Sequence, residues 1–144
     1  MGRMIFVNLP TRDLEAANTF YGAMGFERNN TFSNENATAW MITPDIWVMS
    51  LMEPFFGSFL RGGDKPTFGE GGKQMLNALS CDSAEHVDEL TKVAASHGGS
   101  VYREPESEFP GMYGSAVSDP DGHIWELMWM EQPGDGTPTE ASGE

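Results

Sequence analysis

Residues 119–131 read DPDGHIWELMWME, and Glu126 is the one ionisable side chain between Ile124 and Met130. In a strand, alternate side chains share a face, so Glu126 lies with Ile124 and Met128 while Trp125, Leu127 and Trp129 face the other way. A carboxyl among apolar neighbours resists ionisation. Such a group suits general acid–base work, or the anchoring of a cationic or hydroxyl-bearing ligand. The plainer alternative is a carboxylate satisfied by a backbone or tyrosine hydrogen bond. Tyr113, in GMYGSA, is a second candidate, an aromatic ring with a polar tip. His123 follows the turn formers Asp-Pro-Asp-Gly and reads first as a strand-entry residue, with ligand contact as the second reading. His86 and His97 fall on solvated helix positions. Cys81, in NALSCDS, reads as a buried inert thiol, because no basic neighbour is in view to activate it. The run GEGGK lacks the spacing and strand context of a phosphate loop, and no CxxC or Ser-His-Asp set is present.

The elements that must carry these residues come in a repeated order. MIFVNLP reads as a strand stopped by Pro10, and TRDLEAANTFYGAMGF as a helix. Asp13 caps that helix, Leu14, Ala17, Phe20, Tyr21 and Met24 share one face, and Gly25 ends it. FERNNTF, NATAWMIT and DIWVMSLME follow as strands. The order then recurs. QMLNALSCD is a strand, and DSAEHVDELTKVAASHGG a helix with a capping box from Asp82 to Glu85. Its apolar face is Val87, Leu90, Val93 and Ala94. SVYREPE, MYGSAVSD and HIWELMWME are strands. Residues 44–53 also mirror 120–131: a Pro-Asp turn precedes Ile-Trp, and four residues later comes Met-Glu.

The chain is thus expected to be α+β, two βαβββ modules at 1–54 and 75–132. A Gly- and Phe-rich connector spans 55–74, with a short helix near Phe56–Leu60, and a disordered tail fills 133–144. Neither module of roughly 50–60 residues buries a good core alone; paired, they share one.

Composition narrows the function classes. With 22 acidic against 8 basic residues, the formal charge is −14. That argues against nucleic acid, whose phosphates need Lys and Arg, and mildly favours a cationic ligand. No run of about 18 apolar residues suggests a membrane span. A single cysteine excludes an internal disulfide and fits a reducing cytoplasm.

Several of these runs resemble one family. NLPTRDLEAANTFYGAMGF resembles the opening of the vicinal oxygen chelate superfamily, the glyoxalase, bleomycin-resistance and dioxygenase group; SDPDGHIWELMW resembles its closing strand. The likeness covers residues 3–132. ALSCDS, YREP and DGHIWELMWM are most similar to bacterial proteins catalogued as predicted lactoylglutathione lyases or glyoxalase-like proteins. The resemblance implies two modules whose curved mixed sheets cup a cavity. In the family's metal enzymes, first- and fourth-strand positions of each module hold a divalent ion, usually through His, Glu, His or Gln, and Glu.

Carried over, the first-strand position stands seven residues before the helix-leading Asp13, at Phe6. In the second module Ser83 takes the place of Asp13, which gives Leu76; a slip of one residue would give Met75 or Asn77. The fourth-strand position is Glu126, and the aligned Ile-Trp pairs make Val48 its counterpart. Only Glu126 is a good ligand, whereas catalytic zinc keeps three protein ligands. The expectation is therefore a small-molecule-binding protein without the usual metal. Glu126 and Tyr113 would be its reactive groups, and Asn8, Phe6, Val48, Ser50, Leu76, Met128 and His123 its ligand-facing residues. The alternatives are a lactoylglutathione lyase-type enzyme using Zn, Ni, Mn or Fe, with donors from a partner chain, and a metal-free enzyme using Glu126 and Tyr113. A homodimer is expected, since the family often pairs modules across chains.

Overall fold

The computed structural model describes residues 2–131. The expected tail at 133–144 lies outside them. The elements run β1 Ile5–Thr11, α1 Leu14–Ala23, β2 Glu27–Asn34, β3 Ala37–Thr43, β4 Ile46–Met52, α2 Glu53–Gly57, β5 Leu76–Ser80, α3 Ala84–Ser96, β6 Ser100–Phe109, β7 Met112–Ser118 and β8 Ile124–Met130. The tandem βαβββ order is as expected. It builds two four-stranded mixed sheets, ordered β1-β4-β3-β2 and β5-β8-β7-β6. In each, the first strand lies parallel to the fourth while the remaining pairs are antiparallel.

Local chemistry sets the helix ends. The Asp13 carboxylate accepts from Ala16 N–H, and Gly25 (φ 96°) supplies the left-handed turn that ends α1. In α3 the cap is Ser83, whose hydroxyl accepts from His86 N–H at 3.0 Å. The expected capping box from Asp82 to Glu85 is not formed, because the cap sits one residue later and its third follower is His86. The short helix α2 also comes earlier than expected. It starts directly from β4 with Pro54 in its first turn, where a missing N–H is harmless.

Both helices lie on the same side of their sheets, and one core joins the modules there. Phe20, Tyr21 and Met24 of α1 meet Leu9, Trp40 and Val48 of the first sheet, together with Val87, Val117, Trp125 and Leu127 of the second module. The Tyr21 ring lies 5.9 Å from Trp125, edge to face, and 5.7 Å from Phe26, stacked. The Tyr21 hydroxyl donates to Asp119 Oδ2 at 2.5 Å and accepts from Trp125 Nε1 at 3.1 Å. Burial first, and then the Asp119 charge, push the Tyr21 phenol well above its ordinary pKa; burial likewise raises Asp119. Asp119 Oδ1 in turn accepts from the backbone N–H of Asp121 and His123. Gly99 completes the seam: a Cβ there would stand 2.6 Å from Phe20 Cε1 and 2.4 Å from the Ser118 carbonyl.

Candidate functional site

Strand register decides what each face presents. On β4, Val48 pairs with Val7 and is 0% exposed inside the core, so it faces the helices. Ser50, two residues on, is buried on the same side. Neither reaches the open face. The open face of β4 is Trp47 and Met49, opposite Phe6 and Asn8 of β1. On β8 the phase is the reverse. Trp125 and Leu127 enter the core, while Ile124, Glu126 and Met128 pair with Leu76, Ala78 and Ser80 of β5 on the open side. Leu76 pairs with Ile124 as Phe6 pairs with Trp47, and Glu126 stands two residues past Ile124. The first-module counterpart of Glu126 is therefore Met49, not Val48. The duplicated Ile-Trp motif misleads because the turn before β8 (119–123) is three residues longer than the one before β4 (44–45), an odd difference that reverses the phase of the strand.

Glu126 is not alone among apolar groups. Arg103, from the YREP run on β6, donates from Nη2 to Glu126 Oε2 at 3.3 Å, both side chains about a third exposed. Arg103 and Glu126 flank Ala116 of β7 in one row across the sheet. A methyl is all that stands between them, so the two long side chains meet above it. The next row is Glu106, Gly114 and Met128. These two small residues on the middle strand leave an open recess of about 190 Å³, walled by Arg103, Glu106, Phe109, Met112, Glu126 and Met128. Gly114 has no room for a side chain, since a Cβ would fall 2.8 Å from the Leu127 carbonyl.

Tyr113 borders this recess but does not act in it. It shares a face with Ser115 and Val117, and its hydroxyl donates to Asp88 of α3 at 2.6 Å. That bond, ahead of burial, raises its pKa. The pairing of Glu126 with Tyr113 is thus not made; Arg103 stands where the tyrosine was expected.

The remaining candidates fall in two other recesses. Phe6 and Asn8 join Met4, Phe32, Trp47 and Met49 around a cavity of about 370 Å³ on the first module. Asn8 and His123 also line a cavity of about 790 Å³ between the modules, beneath the connector. Much of the polar lining there holds structure. His123 Nε2 donates to the Pro10 carbonyl at 2.8 Å, and Lys73 Nζ donates to the carbonyls of Gly69 and Gly122 at 3.2 Å each. His123 is thus the strand-entry clasp that its turn context suggests. Leu76 is 56% exposed on the open side of β5. Cys81 is buried beside Asp82, and burial with that charge raises its thiol pKa, away from nucleophilic use. His86 Nδ1 accepts from Asp82 N–H, and His97 Nδ1 donates to the Val93 carbonyl, so both histidines secure the ends of α3.

The family model described as Glyoxalase/Bleomycin resistance protein/Dioxygenase superfamily matches residues 3–127. The chain belongs to that superfamily. Among solved structures, a hypothetical protein of S. aureus is 26% identical, with TM-score 0.74 over 90% of this chain and 95% of that one. A glyoxalase-related enzyme from Fulvimarina pelagi is 23% identical, with TM-score 0.76 over 99% and 100%. A lactoylglutathione lyase from Agrobacterium tumefaciens, 16% identical, shares the fold at TM-score 0.64 over 90% and 94%. No curated protein matches in sequence.

Superfamily membership raises the question of a divalent ion, and the donors here do not fit one. The equivalent positions are Phe6, Met49, Leu76 and Glu126: one carboxylate, one thioether and two hydrocarbons. A thioether suits soft ions, not the hard or borderline ions that a carboxylate takes. Among the described residues no group of three His, Cys, Asp or Glu side chains converges. Nor is any helix among them long and apolar enough to cross a membrane.

Proposed function

We propose that this chain binds a small organic molecule over the Arg103–Glu126 pair, in the metal-independent manner of bleomycin-resistance proteins. The observation that carries this reading is the ion pair itself. A metal at Glu126 would have to displace a guanidinium 3.3 Å away and then find two further donors. The pair instead offers a ligand a charged donor and a charged acceptor side by side, above a floor of Ala116 and Gly114. The apolar walls Phe109, Met112 and Met128 take the ligand's hydrocarbon part.

A recess of about 190 Å³ is small beside typical ligand pockets of about 300–1,000 Å³. A second copy of the chain supplies the missing wall in this proposal, which makes the protein a homodimer. Leu76, Phe109 and Met130 are exposed around that face. Apolar groups clustered in this way mark interaction surfaces. A cytoplasmic setting, with Cys81 reduced, belongs to the same proposal.

Elemental analysis of the purified protein, with ligand binding measured before and after chelator, tests the reading. Sub-stoichiometric metal and chelator-insensitive binding are expected. One equivalent of zinc, nickel, manganese or iron, together with chelator-sensitive turnover of a glutathione hemithioacetal, would establish the lyase reading instead.

A further inference from the structure

The two long helices put corresponding positions over the two sheets, yet their polar groups are met differently. Counted from the capping residues Asp13 and Ser83, Asn18 and Tyr21 of α1 correspond to Asp88 and Thr91 of α3. In the second module both helix positions are spent on β7. Asp88 accepts from the Tyr113 hydroxyl at 2.6 Å. The Thr91 hydroxyl donates to the Val87 carbonyl at 2.6 Å, so the Ser115 hydroxyl, 2.7 Å away, is the donor to Thr91. In the first module Tyr21 is committed to Asp119 and Trp125 across the seam. The first sheet nevertheless turns two hydroxyls toward its helix side. Thr38 of β3 and Ser50 of β4 are register partners, 0% and 1% exposed, on the face that carries Trp40 and Val48.

Neither hydroxyl has a hydrogen-bond partner among the described residues, and neither has Oδ1 of Asn18, which is shut from solvent as they are. Their places coincide. Gly22 of α1 stands over Trp40, since a Cβ there would lie 3.5 Å from Trp40 Cη2. Asn18 comes about one helical turn before Gly22, and Thr38 two strand residues before Trp40, roughly 6 Å in each case. Helix and strand run in the same sense, as α3 and β7 do where Asp88–Tyr113 and Thr91–Ser115 pair in order. Asn18 therefore stands over Thr38 and Ser50. Leaving one buried polar atom unpaired is costly, and here three fall at one spot. An amide carbonyl and two hydroxyls are the partner set of one water, which makes about three hydrogen bonds in a typical buried site. It can donate to Asn18 Oδ1 and to one hydroxyl, and accept from the other. A hard cation would find only three neutral oxygens in the set and no carboxylate. We infer that a single internal water is bound between α1 and the first sheet, bridging Asn18, Thr38 and Ser50 where the second module uses direct side-chain bonds. The site lies on the helix side of the sheet, away from the open face, and does not depend on the ligand reading.

A high-resolution crystal structure of the full chain and the variant Thr38→Val test this together. The expected map has a solvent peak about 2.7–3.2 Å from Asn18 Oδ1, Thr38 Oγ1 and Ser50 Oγ. The variant keeps the branched shape of the side chain and removes its hydrogen bond, so the sign of its effect is diagnostic. With the water in place it strips one bond from a satisfied set, and the folding equilibrium constant should fall severalfold. With a bare hydroxyl it would remove an unpaired polar atom, and the constant would rise. Urea unfolding of both chains measures the difference. A map with no peak there, or with the Thr38 and Ser50 oxygens bonded to each other, would overturn the proposal. So would a Thr38→Val chain as stable as the wild type or more so. Should that variant fail to fold, the map alone decides.

Discussion

Glu126 and Arg103 form a pair whose members are each about a third exposed, so removing one charge leaves the other able to reach water. Glu126→Gln should therefore alter stability by no more than about 1 kcal/mol, and should abolish ligand binding or turnover. Arg103→Met should do the same. Thermal melts and calorimetric titration separate the two effects, and an unchanged titration in either variant would remove that residue from the site. Tyr113→Phe is the contrasting case. Its hydroxyl serves Asp88 on the helix side, so binding should be unchanged while the melting temperature falls slightly. At this scale the sequence was half legible. Strand alternation alone gave Glu126, Ile124 and Met128 their common face. Arg103 was present in a quoted motif yet not singled out, because its partner lies two strands away across a ladder with register shifts. Nothing in a linear reading places those shifts. Tyr113 and Val48 failed for the same reason: each stands one step out of phase with the face assigned to it.

Between the elements, the seam of α1 with the second module carries the buried polar network. Tyr21→Phe would leave Asp119 Oδ2 and the Trp125 N–H without their partner, at a cost of about 1–3 kcal/mol. Urea midpoints measure that loss. Gly99→Ala should destabilise by a similar about 1–3 kcal/mol through overpacking, since neither Phe20 nor the Ser118 carbonyl can easily retreat. Asp119 adds a pH dependence. Burial raises its carboxyl pKa in the folded chain, so the fold holds that proton more tightly than the unfolded chain does. Its contribution is fully present below about pH 3.9, the unfolded value, and is lost as pH rises through the raised folded value. The stability difference between the wild-type chain and Asp119→Asn should therefore shrink as pH rises from that point toward neutrality. A difference that grows instead would place the titration elsewhere. The helices themselves were readable from capping residues and 3.6-residue periodicity. The network was not, because Tyr21 and Asp119 are far apart in the chain and meet only when the modules dock.

As a whole, the molecule is a duplicated frame with unlike contents. The two sheets are what the family resemblance implied, and the repeat followed from recurrence of strand, helix and turn signals. The separation of the open faces into distinct recesses did not, because it depends on which strand edges pair. The proposed dimer belongs to this scale: light scattering should give twice the chain mass, and Leu76→Glu should reduce it to the monomer by placing a charge on an exposed apolar edge. A monomeric wild-type chain would leave the small recess over Glu126 without its missing wall.

The out-of-phase Ile-Trp strands also bear on how far the halves are exchangeable. Grafting residues 124–130 in place of 46–52 would look conservative, since both read Ile-Trp and end in Met. It would place a glutamate where Val48 now sits fully enclosed, and an uncompensated buried carboxylate costs several kcal/mol. That chimera should fail to fold. The single substitution Met49→Glu, which puts the acid on the open face instead, should be tolerated. Ancestral symmetry here survives as spelling, while the meaning of each letter has drifted to the opposite side of the page.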